Sequence, residues 1–228
     1  MKSFTLAEKF LLLIHHPEKS RYLITEQMRN TGLIGALLLD LAHEKKIRLE
    51  ADSMWATSHQ TNLSPVHQQI LARIAAYGRP KKVKFWISKL SNKSRTYRHA
   101  LLARLEKKGI LSVEHKKFLF ISYLNTYLLD QQKRYTLLQD IRAVIFEKKE
   151  IRADDAALLG LIEACKMHKV ICEDKSEIKY CKARLKALVQ EDAIAQGVDK
   201  VIKEIQAALI AAMVATTAAS TATTAASN

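Results

Sequence analysis

The chain has 228 residues, 48% apolar and 26% charged, which is long enough for a sizeable core and too apolar for a disordered polymer. Six glycines and three prolines are too few for an array of β-turns, and three cysteines without paired spacing argue against a disulfide framework and suit reduced thiols in a cytosolic-type compartment. The formal net charge is +14, and +10 of it falls between Arg79 and Lys108, where eleven Lys or Arg stand against one acid, Glu106, so the charge is concentrated in one stretch, as on an anion-facing surface.

From the N-terminus, Thr5-Leu-Ala-Glu8 fits a capping box, followed by apolar positions at Phe10, Leu11, Leu13 and Ile14. The helix is expected to end at His15-His16-Pro17, because proline disfavours α geometry at the residue before it. A second helix is predicted over Tyr22–Asn30 and a third over Leu33–Lys45, with Leu33, Leu37, Leu38 and Leu41 on one face. Ile47–Glu50 reads as a short strand and Asp52–Ser64 as a polar loop. Pro65 suits the first turn of a helix capped by Ser64, with Val66, Ile70, Leu71 and Ile74 apolar, ending at Tyr77-Gly78-Arg79-Pro80.

Val83, Trp86, Ile87 and Leu90 form a helical stripe. The next helix is Arg95–Lys108, capped by Ser94, with Tyr97, Leu101 and Leu105 as its core stripe and Gly109 as its stop. Ile110–Glu114 and Phe118–Tyr123 then read as a hairpin turning at His115-Lys-Lys117. Helices follow over Leu128–Phe146, Ala156–Cys172, Ile178–Leu188 and Val198–Met213. The whole is a mainly α single domain, residues 1–214, carrying one hydrophobic β-hairpin, with an Ala/Thr/Ser-rich tail, 215–228, expected to be disordered. The N-terminal apolar run, Phe10–Ile14, is shorter than the apolar core of a signal peptide, and no uncharged apolar run approaches membrane-spanning length, so membrane contact is expected to be peripheral.

Two features point to binding. Arg95 and Arg98 lie one turn apart at the start of their helix, where free backbone N–H groups already favour an anion and guanidinium groups add planar phosphate contacts. Phe118, Leu119, Phe120 and Ile121 are four consecutive apolar residues in a hairpin, which implies that both faces are covered or that one is exposed for a partner. A basic helix followed by an apolar hairpin suits an anionic membrane surface. It also suits nucleic acid, read by a winged helix with Arg95–Lys108 as recognition helix and Ile110–Tyr123 as wing. The apolar wing favours the membrane, since a wing on DNA is polar along its exposed strand. Cys165, His168 and Cys172, with Cys181 nearby, lack a zinc knuckle and read as core, so no metal is expected. No nucleotide-binding loop, nucleophile elbow or zinc-protease motif is present, and neither enzymatic activity nor a cofactor is expected.

The opening Phe4-Thr-Leu-Ala-Glu8 with Leu11-Leu-Leu13, the segment Gly32–Ala42 with its Ile47–Glu50 exit, Trp86-Ile87, Leu90-Ser91, Arg95-x-x-Arg98, Leu105–Leu111 and Phe118-Leu-Phe120 follow one another in an order and spacing that resembles the Golgi phosphoprotein 3 family. Weaker likeness runs through Leu158–Ile162 and Glu204–Val214, so the resemblance spans most of residues 3–214. It implies a central helix bundle with a hydrophobic β-hairpin and no catalysis. It implies a peripheral protein of the cytosolic membrane face, at the Golgi in a eukaryote. Such a protein binds phosphatidylinositol 4-phosphate and holds glycosyltransferases by their cytosolic tails, and its hairpin supports homo-oligomer formation and membrane contact.

The family's headgroup pocket uses a Trp, an Arg and an Arg-x-x-Arg pair. The resemblance carries the pair onto Arg95 and Arg98, the Trp position onto Thr25 and the Arg position onto Ile34. Two of the four are therefore substituted, and Tyr22 and Arg29, one turn either side of Thr25, are the candidates to compensate. With those substitutions, anionic lipid headgroups in general are the wider expectation for the partner.

Overall fold

The computed structural model describes residues 4–50, 53–57, 63–147, 153–190 and 200–225. The first half contains α1 (Leu6–Ile14), α2 (Glu26–His43), β1 (Ile47–Glu50), β2 (Ser53–Ala56), α3 (Pro65–Ala75), β3 (Lys81–Lys82), α4 (Val83–Ser91) and α5 (Ser94–Lys107). The second contains β4 (Leu111–Phe118), β5 (Ile121–Leu128), α6 (Gln131–Phe146), α7 (Ala153–Ala164), α8 (His168–Ile171), α9 (Glu177–Gln190) and α10 (Lys200–Ala225). The mainly α fold expected from composition is the one observed.

Helix α2 is the centre. Every residue from Gly32 to Leu39 is buried, and a helix that is apolar all round can only be enclosed by others. Helices α1, α4, α5, α7 and α10 pack against it. Separate helices were expected over Tyr22–Asn30 and Leu33–Lys45; instead one helix runs through Gly32, because that glycine serves packing. A Cβ there would meet Cys165 Sγ and Phe10 Cζ at 2.6 Å. Gly35 likewise admits the Leu209 side chain of α10.

Polar side chains fix the outer helices. The predicted capping box is present: Glu8 N–H donates to Thr5 Oγ1 and Thr5 N–H to the Glu8 carboxylate. Glu8 is fully buried and also accepts from Arg104 Nε at 3.3 Å and Lys108 Nζ at 2.7 Å, which ties α5 to α1. Asp40 of α2 accepts the Leu6 and Ala7 amides at 2.7 and 3.1 Å, meeting the positive end of α1. It also accepts from His67 Nε2 at 3.0 Å, whose Nδ1 takes the Ser64 hydroxyl at 2.6 Å. Ser64 therefore bonds the His67 side chain, not a backbone amide of α3 as a cap would.

Several local expectations are corrected. Strand β2 lies inside the segment read as loop, anchored by buried Met54 and paired with both β1 and β3. The hairpin is longer than expected and turns three to four residues later. Register runs from Leu111↔Leu128 to Phe118↔Ile121, so Leu119 and Phe120 form the turn and His115-Lys-Lys117 lies in a strand. Leu119 adopts φ +52°, which a two-residue hairpin turn requires at its first central position. Of Ile121 only the backbone is described. The helix expected over Ala156–Cys172 breaks after Ala164, with Lys166 at φ +51°, so Cys165, His168 and Cys172 do not share one helix. Helix α10 continues to Ala225, beyond the boundary at 214, since alanine carries the highest helix propensity. Val198 lies outside the described residues. No helix among the described residues is long and apolar enough to cross a membrane.

Candidate functional site

Helix α5 does not present all of its charge outward. Tyr97, Leu101, Leu102 and Leu105 are buried, and Arg104 and Lys108 turn inward to Glu8. Arg95, by contrast, is exposed and donates from Nη2 to the Ser122 carbonyl at 3.1 Å. Ser122 pairs with Lys117 directly beneath the hairpin tip. Arg98, half-buried, donates from Nη1 to Asn30 Oδ1 on α2 at 3.3 Å.

A tyrosine collects the remaining arginines. The Arg29 guanidinium carbon lies 4.6 Å from the Tyr22 ring centroid and that of Arg98 lies 6.0 Å away, both within the range of cation–π attraction. Tyr22 also meets the His15 ring in an edge-to-face contact, 5.6 Å between centroids. Burial pushes the Tyr22 phenol above its ordinary range. Burial also lowers Arg98, and the charge of Arg29, then more weakly that of Arg95, adds to the effect. Arg29 pairs with the exposed Glu26 at 3.1 Å, while its Nε is buried without a hydrogen-bond partner among the described residues. Three guanidinium groups thus crowd one region, and an anion between them would relieve their mutual repulsion.

The cluster is fastened to the hairpin at its base as well. His15 donates from Nδ1 to the His16 carbonyl at 2.6 Å and accepts the Thr126 hydroxyl at Nε2, 2.8 Å. Burial holds His15 below its ordinary pKa, which keeps it neutral and able to accept. The Thr126 amide donates to Ser20 Oγ at 2.9 Å.

At the far end of the hairpin, Phe118, Leu119 and Phe120 are 67%, 73% and 95% exposed. The turn makes this run an apolar tip, the exposed one of the two alternatives that four consecutive apolar residues offered. Lys116 and Lys117, both exposed, sit just below it.

Tyr22, Arg29, Arg95 and Arg98 are therefore brought together. Thr25 is exposed and caps α2, its Oγ1 accepting the Met28 amide at 3.3 Å. Ile34 is fully buried in the core and faces no solvent. Sequence reasoning missed Asn30 and the Ser122 carbonyl, which hold Arg98 and Arg95. Neither residue type signals such a role in advance, because both depend on the distant pairing of α2 and β5 with α5. No group of three or more His, Cys, Asp or Glu able to hold a metal occurs among the described residues.

A search of curated proteins finds no matching relative. The sequence model of the family described as Golgi phosphoprotein 3 (GPP34) matches residues 6–205, which spans the bundle, the arginine cluster and the hairpin, and the chain belongs to that family.

Proposed function

We propose that this protein is a peripheral membrane adaptor that binds a phosphorylated lipid headgroup through Arg95, Arg98, Arg29 and Tyr22 while the hairpin tip enters the bilayer. The observation that carries the reading is the junction of the two features. Arg95 is bonded to the backbone of Ser122, the residue that follows the apolar run Phe118–Ile121, so headgroup and tip engage one surface together. An exposed tip of two Phe and one Leu above two lysines has the build of an interfacial anchor. The apolar side chains leave water, worth about 1.5–3 kcal/mol each when fully buried, and the lysines reach the phosphate layer. Membership in the Golgi phosphoprotein 3 family supports an adaptor without catalysis on the cytosolic face, at the Golgi in a eukaryote. The partners proposed with it are the cytosolic tails of membrane enzymes such as glycosyltransferases, and a second copy of the chain through the hairpin.

Anionic lipid in general is the proposed class, with phosphatidylinositol 4-phosphate its most specific member. The Trp and Arg of the family pocket are Thr25 and Ile34 here, so Tyr22 and Arg29 replace them in this reading. The test is co-sedimentation with neutral vesicles, phosphatidylserine vesicles and vesicles containing phosphatidylinositol 4-phosphate, using wild type and Arg95→Ala/Arg98→Ala. Preference for the phosphoinositide, lost in the double variant, is the expected result. Equal binding to both anionic vesicles would replace the pocket with charge alone. No binding to any vesicle together with a duplex-DNA shift would replace the adaptor by a winged-helix nucleic-acid binder.

A further inference from the structure

We infer that a second anion site, independent of the Tyr22–Arg98 cluster, lies between α3, α4 and α5 and takes a phosphate monoester carried on a short apolar stem. A cavity of about 250 Å³ opens there, lined by Arg73, Tyr77, Trp86, Lys89, Lys93 and Tyr97, with aliphatic side chains completing its wall. Two of these side chains hold the key observation. Trp86 and Tyr97 are 0% and 1% exposed, and neither the Trp86 indole Nε1 nor the Tyr97 hydroxyl has a hydrogen-bond partner among the described residues. Buried polar groups in folded proteins are almost always paired, and both atoms lie just behind the present cavity wall, so an acceptor from outside reaches them when the exposed side chains at the cavity edge move aside.

The charge around the cavity says what kind of acceptor. Arg73, Lys89 and Lys93 are exposed at its edge, and none of the described residues lining it is acidic. Burial raises the Tyr97 phenol above its ordinary pKa, and the positive charge of Arg73 works against that shift. An indole N–H can only donate, and a cationic ligand would be repelled. A phosphate monoester carries close to two negative charges near neutral pH and three terminal oxygens, enough for both donors and at least one cation. A carboxylate offers one charge and two oxygens. The aromatic and aliphatic remainder of the wall suits a short apolar stem. Lys89 Nζ lies 4.9 Å from the Tyr77 ring centroid and 5.5 Å from that of Phe85, so this cation is already positioned against the wall before a ligand arrives.

The same phosphate chemistry could come from a soluble ester or from a phosphomonoester lipid. The test reads both in Trp55→Phe, where Trp86 is the sole tryptophan and reports the cavity by its fluorescence. The probes are hexyl phosphate, hexanoate, inorganic phosphate, and phosphatidylcholine vesicles with and without phosphatidic acid. The expected result is a saturable change with hexyl phosphate, about tenfold weaker with hexanoate. Arg73→Ala and Lys93→Ala, both at exposed positions, weaken it by a similar factor, and Arg98→Ala leaves it unchanged. Tyr97→Phe weakens binding without lowering the melting temperature of the free protein, since it removes a hydroxyl that has no partner. A response to phosphatidic acid vesicles that hexyl phosphate displaces identifies a lipid source, and a response to hexyl phosphate alone identifies a soluble one. No saturable response to hexyl phosphate, or one that Arg73→Ala and Lys93→Ala leave intact, overturns the site.

Discussion

Glu8 sets the orientation of the helix that carries the arginines. It is an unusual residue to find fully buried, and it is tolerated because both carboxylate oxygens accept: Arg104 donates to Oε1, and the Thr5 amide and Lys108 donate to Oε2. Two of the cations that make the central stretch look like a continuous basic face are thereby spent inside the fold. What remains outward on the first turns of α5 is Arg95 and, half-buried, Arg98. Replacing Glu8 by Ala removes a cap and leaves two cations without their anion. The expected loss is about 3 kcal/mol, the lower end for a broken buried pair, because Arg104 and Lys108 are 31% and 22% exposed and can recover water. Thermal unfolding of Glu8→Ala is expected to show a melting temperature lower by about 10 °C. A change within error would mean that α5 is held by its apolar stripe alone.

At the scale of elements, the hairpin holds the clearest conflict between local preference and use. Leu119 occupies a left-handed conformation at a turn position that favours glycine, at a cost of about 1–2 kcal/mol. It is also 73% exposed, so no packing offsets that cost in the free protein. Leu119→Gly is therefore expected to slow amide exchange in β4 and β5 while weakening partition onto anionic vesicles. If it weakened both, the residue would be structural; if neither changed, the tip would have no part in binding. The same turn marks where reading the sequence stopped short. The stripes of α4 and α5, the capping box and the Gly109 stop were legible because each is a local pattern. The turn position was not, because Lys116 and Lys117 look more turn-like than Leu119 and Phe120, and only the pairing of β4 with β5 decides between them. Gly32 misled for a similar reason: its partners, Phe10 and Cys165, are distant in sequence, so a packing glycine looked like a break. The cluster at Tyr22 was half legible, since helical spacing offered Arg29 but could not show that both arginines close on one ring.

For the whole molecule, the question is how, in the proposed adaptor, a net charge of +14 and a small apolar tip divide the work of binding. The two forces differ in range and in response to salt. Charges near an anionic surface contribute about 1 kcal/mol each, and this attraction is screened over about 10 Å at 0.1 M salt and about 3 Å at 1 M. Burial of Phe118, Leu119 and Phe120 acts only on contact and is not weakened by salt. Long-range charge should then bring the protein to the surface, and the tip should set how long it stays. Binding of wild type to phosphatidylserine vesicles is expected to fall between low and high salt to a plateau above zero. In Phe118→Ser/Phe120→Ser the plateau is expected to vanish while binding at low salt is largely kept. In Arg95→Ala/Arg98→Ala the low-salt binding should drop and the plateau persist. Co-sedimentation of the three proteins across a salt series checks this. A wild-type curve that falls to zero, indistinguishable from that of the tip variant, would mean that the hairpin stays in water and that its exposed face awaits a protein partner instead of a bilayer.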